Sequence, residues 1–133
     1  MMEILFSNHR DLAYYEKLHP ALREVLAWLH DYLPRSKASR LIYTSIHRDY
    51  DAEIAQGRSG VHGLRRGADI VVIHANGKLY EQYDYNNLGL LLNGIWYYGD
   101  GEEHRVAFAE PHGTGLHLHL QARDGTRKRP EKT

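Results

Sequence analysis

The chain has 133 residues, enough for one domain with a single core, and 42% of them are hydrophobic. Its 17 lysines and arginines balance its 17 aspartates and glutamates, so the net charge favours neither nucleic acid nor a membrane surface as a partner. The absence of cysteine excludes disulfides, thiol nucleophiles and cysteine-ligated zinc, and the 10 histidines are the unusual feature.

The amino-terminal stretch MMEILFSNHRDLAYYEK has none of the features of a secretory signal peptide. It lacks a positive start, a long apolar stretch and a small-residue cleavage site. No segment approaches the ~20 apolar residues that a membrane span needs. We therefore expect synthesis in the cytoplasm without a signal peptide, and no membrane or nucleic-acid partner.

In chain order, the first clear element is a helix in HPALREVLAWLHDYLPRS. Pro20 suits a first helical turn, and Pro34 is expected to end the helix. Apolar residues recur at three- and four-residue steps. They are Leu22, Val25, Leu26 and Leu29. A β-branched run around Ile42 to Ile46 then predicts a strand, and the glycine-rich stretch 50–67 predicts a long loop.

The second half of the chain predicts strands around one further helix. ADIVVIHANG is an apolar strand with a tight turn at Asn76–Gly77, and KLYEQY is expected to be its antiparallel partner. On that interpretation, three tyrosines line one face of a half-buried strand: Tyr80, Tyr83 and Tyr85. DYNNLGLLLNGIWYYGDG predicts a helix. Its expected apolar face consists of Leu88, Leu91, Leu92 and Ile95.

HRVAFAEP and GLHLHLQAR predict two final strands, and the charged end DGTRKRPEKT predicts a disordered tail. Helices and strands mixed without strict alternation indicate the α+β class. We expect a small antiparallel or mixed sheet with helices packed on one side. The expected organisation is a single domain over residues 1–123, followed by the tail 124–133.

Two histidines lie one residue apart in the last predicted strand. Side chains two apart on a strand point the same way, so His117 and His119 share one face and can converge on a metal ion. Upstream, His62 lies in a glycine-flanked loop and Asp69 opens an apolar strand, where a carboxylate is costly unless it is paired or metal-bound. Two histidines and an aspartate are a plausible zinc ligand set with a fourth position for water.

The pattern H-x6-D followed by a late H-x-H resembles the LAS zinc peptidases, named after lysostaphin, D-Ala-D-Ala peptidases and sonic hedgehog. The chain most resembles the M15 branch, which includes small phage endolysins, and the resemblance covers residues 18–121. It implies a hedgehog or D,D-peptidase-like fold with His62, Asp69 and His119 as zinc ligands. It also implies that His117 is the general base or stabilises the transition state, and that Arg48 holds substrate and its developing negative charge.

We therefore expect a monomeric, Zn²⁺-dependent peptidase that hydrolyses stem or cross-link peptides of peptidoglycan at the cell wall. The alternative is a non-catalytic zinc-binding member of the same fold that acts as a peptide-binding or phage structural protein. A cupin is disfavoured, because no glutamate follows within a few residues of His119 and no further histidine follows at all. Glu110, at a strand end, and His112, in the loop that follows, are interpreted as surface residues.

Overall fold

The computed structural model describes residues 2–46, 67–99, 105–111, 115–123 and 125–130. Its elements in chain order are β1 (Glu3–Phe6), α1 (His9–Glu16), α2 (Pro20–Arg35), β2 (Ala38–Ser45), β3 (Gly67–His74), α3 (Gln82–Ile95), β4 (Trp96–Tyr97), β5 (Ala107–Glu110), β6 (His117–Gln121) and β7 (Arg127–Lys128). This mixture of helices and strands confirms the predicted α+β class. Within the described ranges, no helix has the length and apolarity needed to cross a bilayer.

Five strands form a mixed sheet in the order β1-β2-β3-β6-β5. β1 runs parallel to β2, and the other neighbouring pairs are antiparallel. β4 and β7 form a separate antiparallel ribbon. The strand that carries H-x-H, β6, therefore lies between β3 and β5, and both neighbours can add side chains to its faces.

One face of the sheet packs against helices. α3 contacts β5 and β6. The Asn93 side chain on α3 donates to the Ala107 carbonyl at 2.8 Å and accepts from the Ala107 N–H at 3.1 Å. Leu118 and Leu120 of β6 are fully buried, and a Cβ on Gly89 of α3 would lie 4.0 Å from Leu118 Cδ1. Because side chains alternate along a strand, His117 and His119 lie on the other face.

Helix α2 matches its prediction except at its end. Pro20 is at the first helical position, and the N-cap side chain His19 accepts a hydrogen bond from the Ala21 N–H at 3.1 Å. The buried residues are Leu22, Val25, Leu26, Leu29 and Leu33. The prediction that Pro34 ends the helix is wrong by one residue, because α2 continues to Arg35. Fully buried Leu33 holds the last turn against the core and offsets the proline's missing N–H.

The predicted strand KLYEQY is wrong in extent. After the turn at Gly77, which has a φ of 86°, only the single bridge Ile73–Leu79 continues the hairpin. α3 then begins, with Glu81 as N-cap, and the Glu81 N–H donates to Asp84 Oδ2 at 2.9 Å. This local capping outweighs the strand preference of the tyrosines.

The tyrosines consequently do not share one strand face. Tyr85 is buried on α3, where its hydroxyl accepts the Val72 N–H of β3 at 3.1 Å, whereas Tyr83 is 75% exposed. The predicted apolar face of α3 is correct for Leu88 and Leu92, which are buried, but Leu91 is 37% exposed.

Two elements at the amino end were not predicted from the sequence. β1 is largely exposed and pairs with β2, with Glu3 Oε1 3.1 Å from Arg40 Nε. In α1 the only buried residue is Asp11. Neither element carries the apolar periodicity on which the sequence interpretation depended.

The carboxyl-terminal stretch also differs from the expected disorder. Within residues 125–130, β7 pairs with β4 in the register Trp96–Lys128 and Tyr97–Arg127. The Arg127 guanidinium lies 4.7 Å from the centre of the Tyr97 ring. A cation over an aromatic face is favourable, so a strand rich in basic residues is held without apolar side chains of its own.

The pair formed by His30 on α2 and Tyr43 on β2 predicts a pH dependence of stability. His30 Nε2 lies 2.6 Å from the Tyr43 hydroxyl oxygen, and burial lowers the pKa of His30. In the unfolded chain the His30 ring binds its proton at about pH 6.5, and in the folded protein it binds the proton only at lower pH. The free energy of unfolding is therefore expected to fall as the pH drops from about 6.5 to the pKa that His30 has in the folded protein.

Urea unfolding of the wild type and His30→Gln at a series of pH values measures this contribution. The difference in stability between the two proteins should change across that pH window, because only the wild type carries the buried ring. Parallel pH curves for the two proteins would contradict the expectation.

Candidate metal site

Four ionisable side chains from three neighbouring strands lie on the sheet face away from α3. Asp69 of β3 pairs with His119 of β6, and Glu110 of β5 pairs with His117 of β6. Directly opposed residues have their side chains on the same face. Asp69, His117 and His119 are each 7% exposed, and the Glu110 side chain is 30% exposed.

Asp69 lies at the centre of this group. Its Oδ1 is 2.8 Å from His119 Nδ1 and 3.5 Å from His117 Nε2. Single ligand-type atoms of Asp69, Glu110 and His119 all lie within 4.8 Å of one another, so these three residues could hold a metal ion. The metal prediction is thereby supported for one buried aspartate, glutamate and histidine group.

His117 lies beside the group, and its Nε2 is a buried polar atom that faces the two carboxylates. Its Nε2 is 3.5 Å from both Asp69 Oδ1 and Glu110 Oε2, but it is buried without a hydrogen bond within the described part of the chain. Its Nδ1 lies 3.0 Å from the Gly115 carbonyl oxygen. A carbonyl only accepts, so Nδ1 carries the proton, and in the neutral ring Nε2 presents a lone pair to the two carboxylates.

Gly115 supplies this carbonyl from a backbone conformation that favours glycine. Its φ is 130°, in the region that residues with a Cβ rarely adopt. Gly115, two residues before His117, therefore directs its carbonyl at the first histidine of the strand.

The His119 ring is held on several sides. Its Nδ1 contacts Asp69 and its Nε2 lies 3.2 Å from Gln121 Oε1, while the Phe108 ring packs at 4.9 Å between centroids. Burial, the largest single influence, lowers the pKa of His119, but the hydrogen bond and charge of Asp69, with the charge of Glu110, outweigh it. The pKa of His119 is therefore raised above its ordinary value, because its protonated ring lies beside the carboxylates.

A buried and a partly buried carboxylate with two buried imidazoles on one face fit a divalent cation. Charges removed from water are costly unless they are paired or coordinate a metal. Oxygen from Asp69 and Glu110 and nitrogen from His119 are among the ligands that zinc accepts in proteins. Buried His117 Nε2 also favours a cation at this position, because only a proton or a cation can satisfy its lone pair there.

Of the residues predicted for the site, the structure brings together Asp69, His117 and His119. The predictions for His62 and Arg48, and the interpretation of His112, concern positions outside the described residues. Glu110 was interpreted as a surface residue, and its position in the group corrects that interpretation. No local sequence pattern identifies Glu110, because its position in the group depends on the pairing register of β5 with β6.

Comparisons with protein-family models, with curated proteins and with solved structures find no match to this chain.

Proposed function

We propose that the chain is a zinc-dependent peptidase of the hedgehog or D,D-peptidase-like fold, and that it hydrolyses stem or cross-link peptides of peptidoglycan. The observation that carries the proposal is the buried group of Asp69, Glu110 and His119 with the lone pair of His117 Nε2 beside it. The proposed substrate class follows from the resemblance of the H-x6-D and H-x-H pattern to the LAS zinc peptidases.

In this proposal Asp69 and His119 hold the ion. Either Glu110 or the predicted ligand His62 completes the set, and both fit the preference of zinc for nitrogen and oxygen donors. When bound, a divalent ion supplies a Lewis acid that lowers the pKa of a coordinated water and polarises a carbonyl.

His117 is suited to accept a proton from the attacking water. Its Nδ1 proton is engaged by the Gly115 carbonyl, so the ring is oriented and Nε2 is the basic atom. Once protonated, the ring would lie 3.5 Å from the carboxylates of Asp69 and Glu110, which stabilise its positive charge. Arg48, by the resemblance, holds the substrate and the negative charge that develops on it.

The decisive experiment incubates the purified protein with peptidoglycan and follows soluble peptides by mass spectrometry. We expect cleavage that a chelator abolishes and added zinc restores. Zinc binding without cleavage would instead identify the non-catalytic member of the fold, and a protein that binds no zinc would overturn both functions.

A further inference from the structure

Gln121 ends strand β6 two residues after His119, and its side-chain amide makes two hydrogen bonds. Its Nε2 donates to the Arg105 backbone carbonyl at 2.8 Å, and its Oε1 lies 3.2 Å from His119 Nε2. Opposite Gln121 on β3 is Gly67, which has no side chain to compete for the amide. The amide therefore joins the backbone before β5 to the ring of a proposed ligand.

The hydrogen bond to the Arg105 carbonyl determines which way the Gln121 amide points. A backbone carbonyl can only accept, so the amide nitrogen of Gln121 must face Arg105. The amide oxygen then faces His119, and because an amide oxygen also only accepts, His119 Nε2 must carry a proton. Nδ1 lies 2.8 Å from Asp69 Oδ1, and because a carboxylate also only accepts, Nδ1 donates to Asp69 in the metal-free protein. A cation bound between Asp69 and His119 takes the place of that proton, and Nδ1 is then the nitrogen that binds it.

We propose that Gln121 is a positioning residue that accepts the Nε2–H of His119 and thereby directs Nδ1 at a metal bound beside Asp69. This inference rests on the proposed metal site and adds a residue that does not touch the ion. Groups that orient a ligand imidazole typically change metal affinity by about 10–100-fold when they are lost.

The prediction is that Gln121→Leu weakens zinc binding by about 10–100-fold, because the Gln121 oxygen no longer holds the Nε2–H of His119 and orients the ring. Gln121→Glu keeps an oxygen that accepts from Nε2–H, so it should retain the ring orientation and bind zinc far better than Gln121→Leu. Gln82→Leu is the matched control, since the Gln82 amide donates to Asn86 Oδ1 on the exposed surface of α3.

Two measurements test the inference, and neither depends on activity. Isothermal titration with zinc gives the affinities, and long-range ¹H–¹⁵N spectra of histidine-labelled protein report which ring nitrogen of His119 is protonated and which binds zinc. In the wild type and Gln121→Glu we expect a protonated Nε2 and a zinc-bound Nδ1. In Gln121→Leu we expect the Nε2–H signal of His119 to lose the shift that the hydrogen bond to Gln121 gives it.

Zinc bound through His119 Nε2, or a Gln121→Leu protein with unchanged zinc affinity, would overturn the inference. A wild type that binds no zinc would overturn the proposed function instead, and the metal-free spectra would still show whether the Nε2–H of His119 donates to Gln121. If Gln121→Leu does not fold, the wild-type spectra and Gln121→Glu carry the same test.

Discussion

Asp69→Asn is expected to lower the affinity for zinc by more than about 100-fold, because the loss of a direct ligand should exceed the loss of an orienting partner. Asp69 Oδ1 is the atom that contacts both histidines of the H-x-H strand, at 2.8 Å from His119 Nδ1 and 3.5 Å from His117 Nε2. Asparagine keeps the shape of the side chain but removes the negative charge that attracts a cation to this buried face.

The structure offers a matched control for this substitution. Asp84 on α3 forms a second aspartate–histidine pair, with Oδ2 3.2 Å from His74 Nε2, and it belongs to no part of the metal group. Asp84→Asn therefore makes the same chemical change at a comparable pair. Its expected effect is limited to stability, at about 1 kcal/mol, because the Asp84 carboxylate accepts the N–H of the N-cap residue Glu81.

Titration calorimetry and the metal content of the purified proteins measure both variants. Asp69→Asn should bind little or no zinc, while Asp84→Asn should match the wild type. Zinc binding by Asp69→Asn at wild-type affinity would remove Asp69 from the ligand set and, with it, the proposed centre of the site.

The elements that the sequence predicted well are those that bury a wide apolar face. Helix α2 and strands β2, β3 and β6 each carry two or more fully buried apolar residues at the period of their structure. β1 and α1 bury almost nothing and were missed for that reason. At residues 78–83 the strand preference of the tyrosines was misleading, since the capping interaction between Glu81 and Asp84 starts a helix there.

The site could be predicted from the sequence where it depends on alternation within one strand and on the cost of a carboxylate in an apolar strand, as at Asp69. His117 and His119 share a face because they are two residues apart, and that holds in any sheet. The contributions of Glu110 and Gln121 depend on how strands align and how loops return. A one-residue slip between β5 and β6 would put Glu110 on the opposite face, and no local pattern specifies that register.

His117→Ala is expected to separate catalysis from metal binding. Turnover of peptidoglycan peptides should fall by about 10²–10⁴-fold, the usual contribution of a positioned general base, while zinc remains bound. We expect zinc to remain bound because His117 lies beside, and not within, the group of Asp69, Glu110 and His119. Its basic Nε2 lies 3.5 Å from the carboxylate oxygens of Asp69 and Glu110. His119→Ala removes a proposed ligand and should lose both zinc and turnover.

His74→Ala is the control for the histidine substitutions, because its half-buried ring pairs with Asp84 outside the metal group and should affect neither zinc nor turnover. The informative comparison is the zinc content of His117→Ala and His119→Ala, measured on the same preparations as their activities. Equal loss of zinc in the two variants would make His117 a ligand and Glu110 the candidate base, since its Oε2 lies 3.5 Å from the same nitrogen. Retained zinc with lost turnover would leave His117 Nε2, oriented by the Gly115 carbonyl, as the group that takes the proton.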